Sequence, residues 1–427
     1  MSGEKKLWYK LDNAAKIYPA AMRKDWTALF RISADLTEPV DPAVLEQALK
    51  SVLRRIPSYS VRLKRGVFWY YLEHADETPD IQEDVQNPCV RMDLRENKGF
   101  LFRVRYFERR IALETFHVLA DGTGGLNVLK TLVAEYLRLK YGAAIPRDSS
   151  ILDCSQEPRP QEAEDAYIRY AGNQTRSRSE SNAYHITGDL EPPDVIHITT
   201  GMIPVDKLLA KAREKNVTIT EYLTAVLILS FDSIQRRRVK KEKHFKPVKV
   251  NVPVNLRTFF PSVTLRNFAL YTNPGIEPRL GRYSFDEILK QTHHHMGAEV
   301  TEKNLRARFA TNVRSEQSRF LRVTPLFLKN AVMRYVFYKV GDKMTSTSLS
   351  NLGVVRLPEE MARYVTRMDF ILGPLSRNRV ISAALSYSGM LYFTFTRTIR
   401  DSAVEREVFR NLVKLGIPVK IESNNQW

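Results

Sequence analysis

Residues 111–137, IALETFHVLADGTGGLNVLKTLVAEYL, decide the fold. Ile111 and Leu113 alternate with Ala112 and Glu114 at a strand period that runs to Phe116. Leu126, Leu129, Leu132, Val133, Tyr136 and Leu137 then recur at helical spacing. Between strand and helix lie His117, Asp121 and the glycines Gly122, Gly124 and Gly125. That glycine density predicts a tight turn which only residues without a Cβ can follow. A histidine at the end of a strand, beside such a turn, is where a general base is expected. A neutral imidazole can take a proton from a hydroxyl or amine as that group attacks a carbonyl. No GxSxG nucleophile motif accompanies it, so direct transfer fits better than a covalent acyl-enzyme.

Asp121 can orient the imidazole, but its place in a buried turn points to a structural charge that needs a cation. Arg257, in Asn251-Val252-Pro253-Val254-Asn255-Leu256-Arg257, is the first candidate partner. Arg55 and Arg62, in LRRIPSYSVRL, are its rivals.

Working outward, residues 26–36, 67–72 and 100–107 read as strands, the last forming a hairpin with 111–116. Asp41-Pro42 supplies an N-cap and a preset first turn for a helix over 43–55. Residues 144–195 lose periodicity and read as a connection, with a short helix near 163–170. Beyond it come a strand at 195–204, a helix at 205–215 and a second helix at 219–235 opened by the capping box Thr218-Ile219-Thr220-Glu221. Strands at 249–255 and 269–276, a mostly helical 284–340, strands near 345–355, 367–373 and 380–398, the last broken into a hairpin by Ser388-Gly389, and a helix at 403–415 complete the pattern. The division expected is an N-terminal αβ domain over 1–150, a crossover over 151–194 and a C-terminal αβ domain over 195–427.

A chain of 427 residues suits two domains. Its 43% hydrophobic and 27% charged residues are those of a folded, soluble protein. No run approaches the roughly 20 apolar residues of a membrane span, and the N-terminus lacks the apolar stretch of a secretory signal. Cys89 and Cys154 show no CxxC spacing, and a reducing, cytoplasmic setting is expected. The net charge of +18 attracts polyanions. Candidates are nucleic acid, anionic lipid, an acidic carrier protein and the phosphates of a nucleotide-bearing co-substrate. The chain has no helix-turn-helix, zinc-finger or RNP-type motif, so a nucleic-acid-binding or scaffold role is the weakest of these. His293-His294-His295 cannot converge on one ion from a helix, because successive side chains point about 100° apart. No metal site is expected.

The order of these motifs carries a resemblance. His117-x-x-x-Asp121-Gly122 after a strand, Arg55-Ile56-Pro57 ending the first helix, VPVNLR over 252–257 and SLSNLG over 348–353 together resemble the condensation/acyltransferase superfamily. That superfamily includes chloramphenicol acetyltransferase, plant BAHD acyltransferases, peptide-synthetase condensation domains and polyketide-associated acyltransferases. The chain looks closest to the stand-alone alcohol acetyltransferase-like branch. The resemblance implies an α/β fold of two similar mixed-sheet domains with an active-site channel between them. Acyl thioester and acceptor would enter from opposite faces and meet at His117. It implies acyl-CoA, or an acyl carrier thioester, as co-substrate, no bound cofactor, and a small alcohol or amine acceptor. Phe116 stands where condensation domains usually carry a second histidine, which disfavours peptide condensation. The DFGWG signature of the plant branch is absent; Ser348, Ser350 and Asn351 lie in a comparable late position as candidate oxyanion donors.

Overall fold

The computed structural model describes residues 7–21, 26–176, 180–318, 322–340 and 342–424. Two mixed-strand layers dominate it. The first sheet runs, edge to edge, Val365–Leu372, Leu29–Leu36, Arg110–Phe116, Phe102–Phe107 and Gln82–Glu83. The second runs Ala269–Thr272, Val248–Asn255, Thr347–Val354, Val380–Tyr387, Met390–Arg397, His197–Pro204 and Lys420–Ser423, with Gly275–Ile276 also paired to Val248–Asn255. A separate three-stranded sheet joins Trp8–Lys10 to the hairpin Val61–Arg65 and Tyr70–His74.

Local chemistry explains why these elements form. Asp41 accepts hydrogen bonds from the Ala43 and Val44 amides at 2.9 and 3.3 Å, opening the helix Pro42–Arg55. Leu45, Ala48, Leu49, Val52 and Leu53 give it one buried stripe. The helix Gly122–Tyr141 packs beside it, over Phe30 and Ile32 of the first sheet. Thr218 and Glu221 make both bonds of the predicted capping box at the start of the helix Ile219–Arg238. Ser388 and Gly389, at φ 47° and 80°, make the two-residue turn of the 380–397 hairpin. Among the described residues no single helix is long and apolar enough to cross a membrane.

Three readings need correction. The strand expected at 67–72 begins only at Tyr70: residues 67–69 lie at the tip of a hairpin, with Val67 72% exposed, between strands at 61–65 and 70–74. Its apolar run resembles a strand because both tip residues are hydrophobic although neither is buried. Second, Val365–Leu372 does not stay with the C-terminal half: it pairs antiparallel with Leu29–Leu36 in the first sheet. Third, the 151–194 segment is more than a connection. Ile151 and Leu152 pack in the core of the first sheet, Ala166 and Tyr167 in an aromatic cluster with Phe260, Phe268 and Phe309, and Tyr184 and Ile186 in the core of the second sheet.

Candidate active site

His117 is the first residue after its strand, and its amide donates to the Ala28 carbonyl at 2.9 Å. The ring lies stacked on Tyr18, with centroids 4.9 Å apart, and meets Phe30 edge-on at 5.2 Å. These two aromatic faces fix the plane of the imidazole.

Asn267 fixes its tautomer. The Asn267 Nδ2 amide donates to the His117 carbonyl at 2.9 Å and to the Asp12 carboxylate at 3.1 Å. Both of those partners are acceptors, so the amino end of Asn267 must face them and its Oδ1 must face the ring. Oδ1 lies 2.9 Å from His117 Nδ1. A carbonyl oxygen can only accept, so Nδ1 carries the proton and Nε2 keeps its lone pair. Asp12 is in turn held by the Ala15 amide at 2.8 Å and lies 3.6 Å from Arg266. Burial raises the Asp12 pKa, against the opposing pull of Arg266.

Burial likewise lowers the His117 pKa, opposed by the Asn267 contact and then by the Asp121 charge. The imidazole therefore stays neutral at neutral pH.

Asp121 turns away from the ring. Its Oδ1 accepts from the Gly124 amide at 2.9 Å, capping the helix, while Oδ2 accepts from Arg257 Nη1 at 2.7 Å and from the Phe268 amide at 2.8 Å. Arg257 also donates to the Thr264 and Arg266 carbonyls through Nη2, at 2.9 and 2.6 Å, and to Asn255 Oδ1 through Nη1 at 3.3 Å. The pair thus ties the His117 turn to the loop that carries Asn267. Arg55 is held by both Glu162 oxygens at 2.6 Å, and Arg62 by Glu77 and the Lys98 carbonyl, so neither rival reaches Asp121.

The glycines act differently from the expectation. None of Gly122, Gly124 or Gly125 has a left-handed backbone. A Cβ on Gly124 would lie 1.9 Å from the Leu265 carbonyl oxygen, and one on Gly125 2.6 Å from the Phe30 ring. They allow the helix to lie directly on the Arg257 loop and on the sheet. Of the late polar residues, Ser348 bonds to the Asn251 carbonyl at 3.3 Å. Asn351 bonds to Thr220 at 3.0 Å and to the Gly353 amide at 2.8 Å. Among the described residues none of Ser348, Ser350 and Asn351 is joined to His117 by a hydrogen bond, while the neighbouring Leu352 side chain lies where a Cβ on Gly122 would meet it at 2.8 Å. His293 hydrogen-bonds Glu221 at 3.1 Å.

Tyr18, Asn267 and Asp12 escape a linear reading, because residues 150 apart in sequence meet only through the fold. If Asn267 sets the tautomer, Asn267→Ala should lower any turnover that uses His117 as a base by roughly 10²-fold while leaving KM near its starting value. Unchanged turnover would show that the tautomer is set elsewhere.

No protein-family model matches the chain, and no curated protein sequence does. Solved structures do. F. graminearum TRI101 complexed with coenzyme A and deoxynivalenol superposes with a TM-score of 0.61 at 11% identity, covering 98% of this chain and 100% of that one. Polyketide synthase associated protein 5 from Mycobacterium tuberculosis gives 0.60 at 14%, covering 95% and 97%. TRI3 trichothecene 15-O-acetyltransferase from Fusarium sporotrichioides gives 0.57 at 12%, covering 97% and 95%. At such identities the likeness is one of fold. Over its full length the chain has the chloramphenicol acetyltransferase-like fold of condensation domains and acyltransferases.

Proposed function

We propose that the protein transfers an acyl group from an acyl thioester, with acyl-CoA the favoured donor, to a hydroxyl or amine. The observation that carries this reading is the Asn267–His117 contact, which leaves Nε2 as a neutral base in a largely buried site. In the reaction Nε2 takes the acceptor proton as the acceptor oxygen or nitrogen attacks the thioester carbonyl. The new C–O or C–N bond forms, the C–S bond breaks, and the imidazolium returns its proton to the leaving thiolate. No covalent acyl-enzyme is needed. The coenzyme A named in the TRI101 complex and the O-acetyl transfer named for TRI3 support this donor and this acceptor class.

Thiol release from acyl-CoAs, acyl-pantetheine and an acylated carrier protein, measured with a panel of alcohols and amines, tests the reading. Release that depends on the acceptor is expected; acyl-CoA hydrolysis indifferent to every acceptor would oppose it.

The pH dependence has a defined sign. Because burial lowers the His117 pKa, the acid limb of kcat/KM should have its midpoint below the ordinary histidine value of about 6.5. Between the two values the unfolded chain binds a proton that the folded chain refuses. The His117 contribution to stability is therefore complete above about 6.5 and is lost as pH falls through that window. A kinetic midpoint above 6.5 would contradict the buried, neutral imidazole.

A further inference from the structure

On one side of the molecule, exposed apolar side chains that the active site does not use crowd two adjacent elements. The hairpin tip presents Val67 and Phe68, and the neighbouring strand presents Trp8. The helix Leu326–Val340 presents Phe327, Leu328, Val332 and Tyr335, with Phe327 60% and Tyr335 61% exposed. The elements form one surface. The Leu326 amide donates to the Val67 carbonyl at 2.9 Å, Lys329 Nζ donates to the Phe68 carbonyl at 2.9 Å, and Asn330 donates to the Tyr70 hydroxyl at 2.9 Å. An apolar patch of this kind on a water-facing surface marks a docking site.

Charge selects the occupant. Residues 322–340 contain no acidic residue, and Arg322 and Arg334 are exposed, whereas Lys329 is buried against the Trp69 ring. Lys10, Lys64 and Arg65 add exposed cations at the rim. Glu73 and Glu316, the acids beside the patch, are paired with Lys64 and Lys16. Two copies meeting through this face would set cation against cation, which disfavours a second copy of the chain. Protruding aromatic and aliphatic side chains ringed by Lys and Arg suit a bilayer, where the apolar parts enter the acyl region and the cations meet lipid phosphates.

We propose that this face docks the protein onto an anionic phospholipid bilayer. Docking would also bring lipid close to the site. The helix Ile17–Ala21, whose Tyr18 covers the His117 ring, packs on the Leu326–Val340 helix. Beside them, against the Trp8–Lys10 strand and the hairpin, opens a cavity of about 700 Å³ lined by Trp8, Lys10, Lys16, Trp69, Glu316 and Arg322, among others. On the acyl-transfer reading, and resting on it, the acceptor is then a lipophilic alcohol or amine drawn from the membrane. The docking itself does not depend on that reading.

Co-sedimentation of the full chain with vesicles of phosphatidylcholine alone, and of phosphatidylcholine with phosphatidylserine, tests the docking. Binding is expected to the anionic vesicles, with weakening at high salt. It should fall about tenfold or more in the double variant Val67→Glu, Phe68→Glu, whose side chains are exposed and whose melting temperature should be unchanged. Brominated lipid should quench tryptophan fluorescence in the unaltered protein, through Trp8 at the patch, so the test does not rest on variants alone. Absence of anionic-vesicle binding, equal binding by the double variant, or a dimer in sedimentation velocity that the substitutions dissolve would each overturn the proposal.

Discussion

Asp121→Asn is expected to destabilise the protein by roughly 3–5 kcal/mol, because it leaves the Arg257 guanidinium, largely removed from water, without its counter-charge. The carboxylate also caps the helix Gly122–Tyr141 and accepts from the Phe268 amide. The asparagine can keep one of those bonds but cannot restore the charge. Arg257→Ala should cost a similar amount, since it removes the same pair together with the bonds that hold the Thr264 and Arg266 carbonyls. Because both substitutions break one network, the double variant should lose less than the sum of the two, with a coupling of about 0.5–3 kcal/mol. Chemical denaturation of the four proteins reads this directly. Additive losses would mean that the two residues act independently. Activity should fall with stability in each variant, because the loop they anchor also carries Asn267.

That pair was legible in the sequence for a physical reason. A carboxylate in a buried turn demands a cation, and few arginines lie next to a strand apolar enough to be central. The capping box at Thr218 and the Ser388-Gly389 hairpin were legible too, because their bonds are local and their residue types specific. The placement of Val365–Leu372 was not. Its alternation shows a strand, but nothing in its own residues says which sheet edge it joins, and the pairing with Leu29–Leu36 spans more than three hundred residues. The glycines of the 122–125 segment were recognised as special for the wrong reason: their backbone is ordinary, and the need is for room against Leu265 and Phe30. Asn267 and Asp12 carry no motif at all. Their importance comes from hydrogen-bond geometry around an imidazole that belongs to a distant part of the chain.

His117→Ala should carry the largest effect on activity. Without the base, the acceptor must attack before losing its proton, which costs about 10²–10⁴-fold in turnover. The ring is packed between Tyr18 and Phe30, so its removal leaves a small gap and a moderate loss of stability, but the carbonyl bond from Asn267 and the amide bond to Ala28 involve only backbone atoms of residue 117 and persist. A fold that melts cooperatively and an active site that no longer turns over are expected together. The direct measurement is acceptor-dependent thiol release from acyl-CoA, followed side by side in the wild type and in His117→Ala at a pH above the histidine range. The account predicts release in the wild type that requires the acceptor and falls at least about a hundredfold in the variant. Near-equal rates in the two proteins would contradict His117 as the base.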